Sequence, residues 1–325
     1  MKAAWYEHNG PARDTLVVGS MSEPTVGPGE VRVRVAASGV NPSDCKTRAG
    51  SRPMSAPRVV PHSDGAGVID QVGAGVSSDR VGQRVWLWNA QWQRALGTAS
   101  EWVSLSAGQA VPLPDGTSFE EGACLGIPAL TALRAVTVDG SPKGQQILVT
   151  GGAGAVGHYA IQFAKLLGAA QVIATVSSPA KAEHARAAGA DVVIDYRRED
   201  IAERVRAATQ GRGVDRVVEV DAAANIHLLP RLIARDGLCV VYGSGKPDVT
   251  CAFGPMIMAG AAVRFFIVYE LASEVRRQAI EELTGWLQAG RIRHAVAHTF
   301  PLDDIVAAHE AVESGSVMGN VVVRL

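Results

Sequence analysis

Hydrophobic and polar residues follow two different rhythms along the chain, and the change falls near residue 120. In the first part, the segment "EVRVRVAAS" alternates Val31, Val33 and Val35 with charged residues, which is the period-two pattern of a half-buried strand. Short runs of the same kind, "GVID", "RVWLW" and "EWVSL", are separated by glycine, proline and serine. This spacing predicts an antiparallel barrel or sandwich.

Beyond residue 120, apolar runs alternate with helical segments such as "YAIQFAKLLG", "AKAEHARAAG" and "NIHLLPRLIARDG". The runs are "QILVT", "QVIATV", "DVVID", "DRVVEV", "LCVVYG" and "RFFIVY". Because they are nearly all apolar, they predict a parallel sheet that helices cover on both faces. After the helix "SEVRRQAIEELTGWLQAG", the tail returns to the β-rich rhythm. We therefore predict an α/β protein with a doubly wound Rossmann domain at 120–290 and a β-rich domain at 1–119 and 291–325.

Charge and composition indicate which classes of partner the chain can bind. The chain has 325 residues and a net charge of -1, so it offers no overall field for nucleic acid or an anionic membrane. The cysteines are scattered without a CxxC pair, the first residues lack the apolar core of a signal peptide, and no run approaches the roughly 18 apolar residues of a membrane span. We expect small-molecule partners and a reducing cytoplasm.

A glycine-rich turn carries the first candidate chemistry. Gly152, Gly154 and Gly157 spell GxGxxG between the strand "ILVT" and a helix with Ile161 and Ala164 on one face. At a strand-to-helix turn inside a βαβ series, this motif places main-chain N–H groups and a helix N-terminus around a pyrophosphate. An ordinary glycine-rich turn is the alternative.

The end of the second strand of this series indicates which dinucleotide binds. About 20 residues after the glycines, sites for NAD place an acidic residue on the ribose hydroxyl, but Ser177 and Ser178 stand here. Two hydroxyls and the nearby Lys181 can hydrogen-bond and neutralise a 2′-phosphate, which favours NADPH. Lys181 could instead be a solvated lysine on a helix face.

Several motifs together resemble the medium-chain dehydrogenase/reductase superfamily. They are "SGVNPSD", "PHSDGAGVIDQVGAGV", "VGQRVW", "GIPALTALRA", "VTGGAGAVG" and the closing "PLDDIVAAHEAVESGSVMGNVVV". Within that superfamily, the chain looks like the zinc-free quinone oxidoreductases related to zeta-crystallin over essentially its whole length. The resemblance implies a GroES-like β-rich domain beside the Rossmann domain, and a homodimer.

The sequence departs from the zinc-dependent members of the superfamily. Asn41 and Ser63 stand where those members have a cysteine and a histidine as ligands, and no cysteine occurs in the segment that matches their four-cysteine lobe. His294 and His298 lie in a strand-like segment, where four residues span about 13 Å at about 3.3 Å each. We therefore expect no metal.

By resemblance, the cofactor and substrate residues come from both domains. The pyrophosphate turn would be Gly152, Ala153, Gly154, Val156 and Gly157, with Ser177 and Lys181 at the 2′-phosphate. Tyr196 is expected near the adenosine end, unless it only packs at a strand end, and Gly243 and Ser244 follow the fifth strand of the Rossmann series at its carboxyl edge. Near the nicotinamide we expect Asn41, Ile127, Thr131, Phe266, Ile267 and Val268.

Two of these residues are candidates for catalysis. Asn41 is the first choice as a hydrogen-bond donor to the substrate oxygen and Thr131 the second, although Asn41 could be only a turn residue before Pro42. Asp44 and Asp64 also match family positions, and we expect them to be structural.

The expected reaction follows from the missing metal. Without zinc, oxidation of an alcohol lacks its main electrostatic help, whereas a quinone or enone accepts a hydride readily when it is held against the nicotinamide. The resemblance implies NADPH-dependent quinone reduction. The alternatives are a reductase of enone or alkenal double bonds and a non-catalytic NADPH-binding protein.

Overall fold

The computed structural model describes residues 1–325 and contains two compact units, Met1–Pro128 with Ile280–Leu325, and Ala129–Ala279. The strands, in chain order, are β1 Lys2–Trp5, β2 Val17–Ser20, β3 Glu30–Val40, β4 Asp64–Val72, β5 Arg84–Leu87, β6 Trp102–Ser106, β7 Ala110–Pro112, β8 Gln146–Val149, β9 Gln171–Val176, β10 Val192–Asp195, β11 Val214–Glu219, β12 Ile233–Val241, β13 Ala262–Phe265, β14 Val296–Pro301 and β15 Asn320–Arg324.

Twelve α-helices accompany these strands. They are α1 Ala12–Thr15, α2 Pro42–Lys46, α3 Phe119–Gly122, α4 Leu130–Thr137, α5 Ala155–Leu166, α6 Pro179–Ala187, α7 Ile201–Ala208, α8 Ala222–Asn225, α9 Leu229–Leu232, α10 Phe253–Ala259, α11 Ser273–Gln288 and α12 Ile305–Glu313. None of them combines the length and apolar character that a membrane crossing requires.

The first unit is built on a seven-stranded sheet. Its order is β14-β15-β3-β4-β5-β7, with β6 also paired to β3, and β1 and β2 form a separate antiparallel pair. The alternation predicted for β3 is present, because Val31, Val33 and Val35 are buried in one core cluster. The strands pair antiparallel except β14 and β15, which are parallel because α12 carries the chain across between them.

The second unit is a six-stranded sheet in the order β10-β9-β8-β11-β12-β13, with every neighbouring pair parallel. Read along the chain, this order is 3-2-1-4-5-6, the doubly wound Rossmann arrangement. The central strand β8 is almost wholly buried, as expected for a sheet that is covered on both faces. The predicted α/β class, with a parallel sheet and a β-rich unit, is confirmed.

Two predicted elements differ from the structure. The helix predicted over "NIHLLPRLIARDG" ends at Leu232, and β12 begins at Ile233, which pairs with Val214 of β11. The strand predicted over "RFFIVY" stops at Phe265, because its partner Val241 is the last residue of β12. Beyond that point the apolar run has no strand to pair with.

Candidate active site

The glycine-rich turn joins β8 to α5 within the second unit. Gly151 has a φ of 65°, and Gly154 is the N-cap of α5 with an extended backbone at φ -78° and ψ 172°. Thr175 of β9 fixes the path of the turn, because its Oγ1 accepts from the N–H of Gly151 at 3.2 Å and its carbonyl accepts from the N–H of Gly152 at 2.9 Å. Thr175, a polar residue inside an apolar strand, is not predicted from the sequence to have this role.

The three positions of the motif require glycine for different structural reasons. A Cβ on Gly152 would lie 2.8 Å from the Cβ of Ala174, and one on Gly157 would lie 2.3 Å from the carbonyl oxygen of Gly151. A Cβ on Gly154 would have no neighbour closer than 3.4 Å, so packing does not explain this glycine. A dinucleotide turn has this pattern, because its middle glycine lets a pyrophosphate approach the N-terminus of the helix. The turn therefore fits a dinucleotide.

The residues predicted for the 2′-phosphate and adenosine lie at the same edge of the sheet. Ser177 follows β9, and Tyr196 follows the adjacent β10, where its N–H bonds to the carbonyl of Val176 at 3.0 Å and 48% of the residue is exposed. Ser178 caps α6, since its Oγ accepts from the N–H of Lys181 at 3.3 Å. With Ser178 used as a cap, Ser177 is the serine that remains for a ligand.

Gly243 and Ser244 also lie where the sequence predicts, after the carboxyl end of β12. The carbonyl of Gly243 accepts from the N–H of Ala222 at 3.1 Å. A Cβ on Gly243 would lie 2.3 Å from the carbonyl oxygen of Val220, so close packing requires this glycine. The loop is thereby held beside the end of β11.

Thr131 and the segment of residues 266–268 lie in neighbouring elements of the second unit. Phe266 and Ile267 follow β13, and a 3₁₀ turn, Val268–Glu270, packs against α4, on which Thr131 is buried. The guanidinium of Arg276 fixes the turn by donating to the carbonyls of Val268 at 2.7 Å and Tyr269 at 3.1 Å. Burial lowers the pKa of Arg276 to about 10.

A buried carboxyl group at the end of β11, the strand beside β8, stabilises the start of the glycine turn. Oε1 of Glu219, at the end of β11, accepts from the hydroxyl of Thr150 at 3.0 Å, from Nδ2 of Asn225 at 2.9 Å and from the N–H of Asp221 at 2.6 Å. Burial raises the pKa of Glu219, and these three hydrogen bonds act in the opposite direction. This role is not predicted from the sequence, although a carboxylate between the valines of the apolar run "DRVVEV" is a signal that could have indicated it.

In the first unit, Asn41 links three segments. It is the N-cap of α2, directly before Pro42, and its N–H donates to Oδ2 of Asp44 at 2.8 Å. Its side-chain Nδ2 donates to Oδ2 of Asp64 at 2.8 Å, and only 3% of the residue is exposed. The turn role that its place before Pro42 predicts is therefore present, and a contact with substrate stays a prediction.

Asp44 and Asp64 form a buried carboxyl pair around Asn41. Burial raises the pKa of Asp44 to about 7, against the effect of hydrogen bonds from Asn41 and from the main chain of Ser63. Burial, and then the nearby charge of Asp44, raises the pKa of Asp64 well above its usual value. Because Oδ2 of Asp64 also accepts from the N–H of Ile127 at 2.9 Å, a proton on Asp64 belongs on Oδ1, which has no other partner.

The ligand types around Asn41 do not suit zinc. Across residues 1–325, no three side chains of His, Cys, Asp or Glu are arranged so that they could hold a metal ion. Asn41 and Ser63 supply no thiolate or imidazole, and the nearby carboxyl groups are engaged with Asn41 and main-chain N–H groups. His298 lies on β14 and His294 precedes that strand.

Comparison with known proteins gives the class first. Residues 27–115 match the model of the alcohol dehydrogenase GroES-like domain, and residues 155–285 match that of the zinc-binding dehydrogenases. The crystal structure of an Escherichia coli quinone oxidoreductase complexed with NADPH superposes with a TM-score of 0.91 at 29% identity, and the match covers all of both chains. The fold is thus that of a two-domain oxidoreductase.

Sequence similarity then gives the family. A quinone oxidoreductase of Pseudomonas aeruginosa is 33% identical over 91% of this chain and 91% of its own length. An alcohol dehydrogenase of Geobacillus stearothermophilus is 28% identical over the whole of both chains. The chain belongs to the quinone oxidoreductase family of the medium-chain dehydrogenase/reductase superfamily, as its motifs predict.

Proposed function

We propose that the protein is an NADPH-dependent quinone reductase that works without a catalytic metal. The observation that carries this proposal is the glycine turn, in which a Cβ on Gly154, at the N-terminus of α5, would have no neighbour closer than 3.4 Å. Ser177, Tyr196 and Gly243, which are also predicted to bind the cofactor, follow the carboxyl ends of strands of the same parallel sheet. When bound, NADPH supplies the hydride, and the chain's own residues bind, orient and hydrogen-bond.

The preference for NADPH rests on the end of β9. An acidic residue at that place would repel a 2′-phosphate, and the chain has Ser177 there, with Lys181 in the first turn of α6. The half-exposed ring of Tyr196 beside it offers an apolar surface to the adenosine. The E. coli relative that was solved with NADPH supports the same cofactor.

Independence of zinc rests on the side chains around Asn41. The amide of Asn41 and the hydroxyl of Ser63 are not zinc ligands, and the carboxyl groups of Asp44 and Asp64 accept hydrogen bonds from Asn41 and from the main chain. The Asn41 amide donates to Asp64 at 2.8 Å, and it is the donor that we assign to the substrate oxygen. Thr131 is the second candidate for this role. Such weak donors suit a quinone, which needs little activation before it accepts a hydride.

Initial rates with protein freed of metal by a chelator test the proposal. NADPH consumption would be followed with a planar ortho-quinone and, in parallel, with a simple enone. Turnover of the quinone is expected. Turnover of the enone alone would replace the proposal with a double-bond reductase, and tight NADPH binding without turnover of either would replace it with a non-catalytic NADPH-binding protein.

We also propose that the protein is a homodimer that pairs through β13. This strand is the edge of the Rossmann sheet, and exposed apolar side chains lie on it and on the helix that precedes it: Phe265 on the strand and Phe253, Ile257 and Met258 on α10. An unpaired edge with such side chains is suited to a second copy of the same strand. Phe265→Asp should convert a dimer to a monomer in sedimentation velocity, and a monomeric wild-type protein would contradict the proposal.

A further inference from the structure

A continuous row of hydrogen-bonded side chains lies buried in the first unit, apart from the residues chosen from sequence. Its members, which we call the histidine chain, are each at most 2% exposed: Cys45, His309, His62, Ser38 and Thr98. The successive distances are 3.4 Å from Cys45 Sγ to His309 Nδ1, 2.9 Å between the two Nε2 atoms, 2.8 Å from His62 Nδ1 to Ser38 Oγ, and 2.8 Å from Ser38 Oγ to Thr98 Oγ1. Its members come from five different elements or loops of the first unit.

The last member fixes the direction of every hydrogen bond in the histidine chain. Oγ1 of Thr98 reaches the main-chain carbonyls of Asp64 and His62, which can only accept, so the single hydroxyl hydrogen of Thr98 is used there. Ser38 must then donate to Thr98. Its own hydrogen is thereby used, so Nδ1 of His62 must be the donor to Ser38.

The two histidines continue this order. Two Nε2 atoms 2.9 Å apart cannot both carry a hydrogen, and burial lowers the pKa of His62 to about 3 and that of His309 well below its usual value. With neutral rings, His62 carries its hydrogen on Nδ1 and His309 on Nε2. Nδ1 of His309 therefore accepts from the thiol of Cys45, whose pKa burial raises.

The two ends of the histidine chain hold the two segments that fix Asn41. At one end, the hydroxyl of Thr98 donates to the main-chain carbonyl of Asp64, whose side chain accepts from the Asn41 amide. The other end is Cys45 on α2, whose N–H donates to the carbonyl of Asn41 at 3.3 Å. A carbonyl cannot pass a proton on, so the chain is not a relay to Asp64 and acts by holding these segments in place.

The backbone of His62 indicates that this arrangement is enforced. Its φ is 76°, in the left-handed region that a histidine seldom adopts, and the residue is fully buried. Such strain persists where the surroundings determine the conformation. Both ring nitrogens of His62 are hydrogen-bonded, so partners on both sides hold the ring of this residue.

We propose that His62 and His309 are positioning residues, which orient the Asn41 amide through a hydrogen-bond chain of fixed direction. This inference rests on the proposed function in one respect, the assignment of Asn41 to the substrate oxygen. The direction of the chain and its hold on Asn41 are independent of any activity.

The first test reads the two tautomers by NMR of protein labelled with nitrogen-15 in histidine. We expect a protonated Nδ1 in His62 and a protonated Nε2 in His309. Thr98→Val keeps the shape of the side chain but removes the terminal hydroxyl, so Ser38 is free to donate to Nδ1 of His62. We therefore expect the hydrogen of His62 to move to Nε2 and that of His309 to move to Nδ1. The reverse tautomers in the wild-type protein, or tautomers that Thr98→Val leaves unchanged, would overturn the inference.

The second test separates positioning from general stability. His309→Leu removes both hydrogen bonds, whereas His309→Gln keeps an N–H donor towards His62. We expect His309→Leu to shift the Asn41 side-chain amide resonance and to lower kcat/KM for the quinone about tenfold, with KM for NADPH within twofold of wild type. His309→Gln should restore most of this loss. His298→Leu, at an exposed position of β14, is the control that should change nothing.

The outcomes distinguish the two proposals. An unshifted Asn41 amide in His309→Leu, or equal losses in His309→Leu and His309→Gln, would overturn the positioning role. Expected tautomers and a shifted Asn41 amide in a wild-type protein that reduces no quinone would leave the histidine chain intact and refute the proposed function alone.

Discussion

Replacing Gly154 by alanine should separate cofactor binding from folding. The added Cβ has no neighbour closer than 3.4 Å, and the backbone of Gly154, at φ -78° and ψ 172°, suits alanine. Because alanine has fewer unfolded conformations than glycine, the free energy of unfolding should stay equal or rise by up to about 1 kcal/mol. The same methyl group fills the space that we assign to the pyrophosphate, so the affinity for NADPH should fall at least about tenfold, or about 1.4 kcal/mol.

The other two glycines of the motif are matched controls. At Gly157 the new Cβ would lie 2.3 Å from the main-chain oxygen of Gly151, and at Gly152 it would lie 2.8 Å from the Cβ of Ala174. Both variants should therefore lose about 1–3 kcal/mol of stability or more through forced shifts of a packed turn. Urea unfolding gives the stability, and NADPH fluorescence titration gives the affinity. A Gly154→Ala protein that binds NADPH as tightly as wild type would refute our account of the turn.

Three further substitutions probe the cofactor choice, the carboxyl pair and the substrate donor. Ser177→Asp should raise KM for NADPH at least tenfold while NADH turnover is kept or improved, because a carboxylate repels a 2′-phosphate; unchanged cofactor preference in initial rates would contradict the assignment. Asp44 has its pKa raised to about 7, so its contribution to stability is complete below about pH 4 and is lost as the pH rises to 7, at most about 4 kcal/mol. Asp44→Asn should flatten this decline in urea unfolding between about pH 4 and 7, and an equally steep decline would contradict it. Asn41→Ala should lower kcat/KM for the quinone about tenfold and Thr131→Val about threefold, by the worth of one hydrogen bond; a larger loss in Thr131→Val would exchange their roles.

Local patterns made much of the fold predictable. The six apolar runs and the glycine turn predict a Rossmann sheet, because a buried parallel strand and a dinucleotide turn are each specified by a few consecutive residues. The predictions were wrong where pairing with a neighbouring strand determines where an element begins or ends. The run "RFFIVY" is strand-like throughout, yet pairing ends at Phe265 because β12 ends at Val241. Likewise Ile233 continues a helical spacing but is drawn into the ladder with Val214.

The residues of the candidate site also differ in whether a local sequence pattern predicts them. Gly154, Ser177 and Tyr196 could be proposed from the sequence because each lies within five residues of the end of a strand that the sequence predicts. The contacts of Asn41 with Asp64, and of His62 with His309, join residues 23 and 247 positions apart, so only the folded chain brings them together. No local pattern marks such a pair in a single sequence.

The central claim is that this chain moves a hydride from NADPH to a quinone with its own side chains and no metal. The most direct measurement is the primary deuterium isotope effect on quinone reduction by NADPH labelled at the transferred position, in protein whose zinc content has been measured and reduced by a chelator. We predict turnover with an isotope effect above one that is the same before and after chelation. Loss of turnover on chelation, with recovery on adding zinc, would contradict the account.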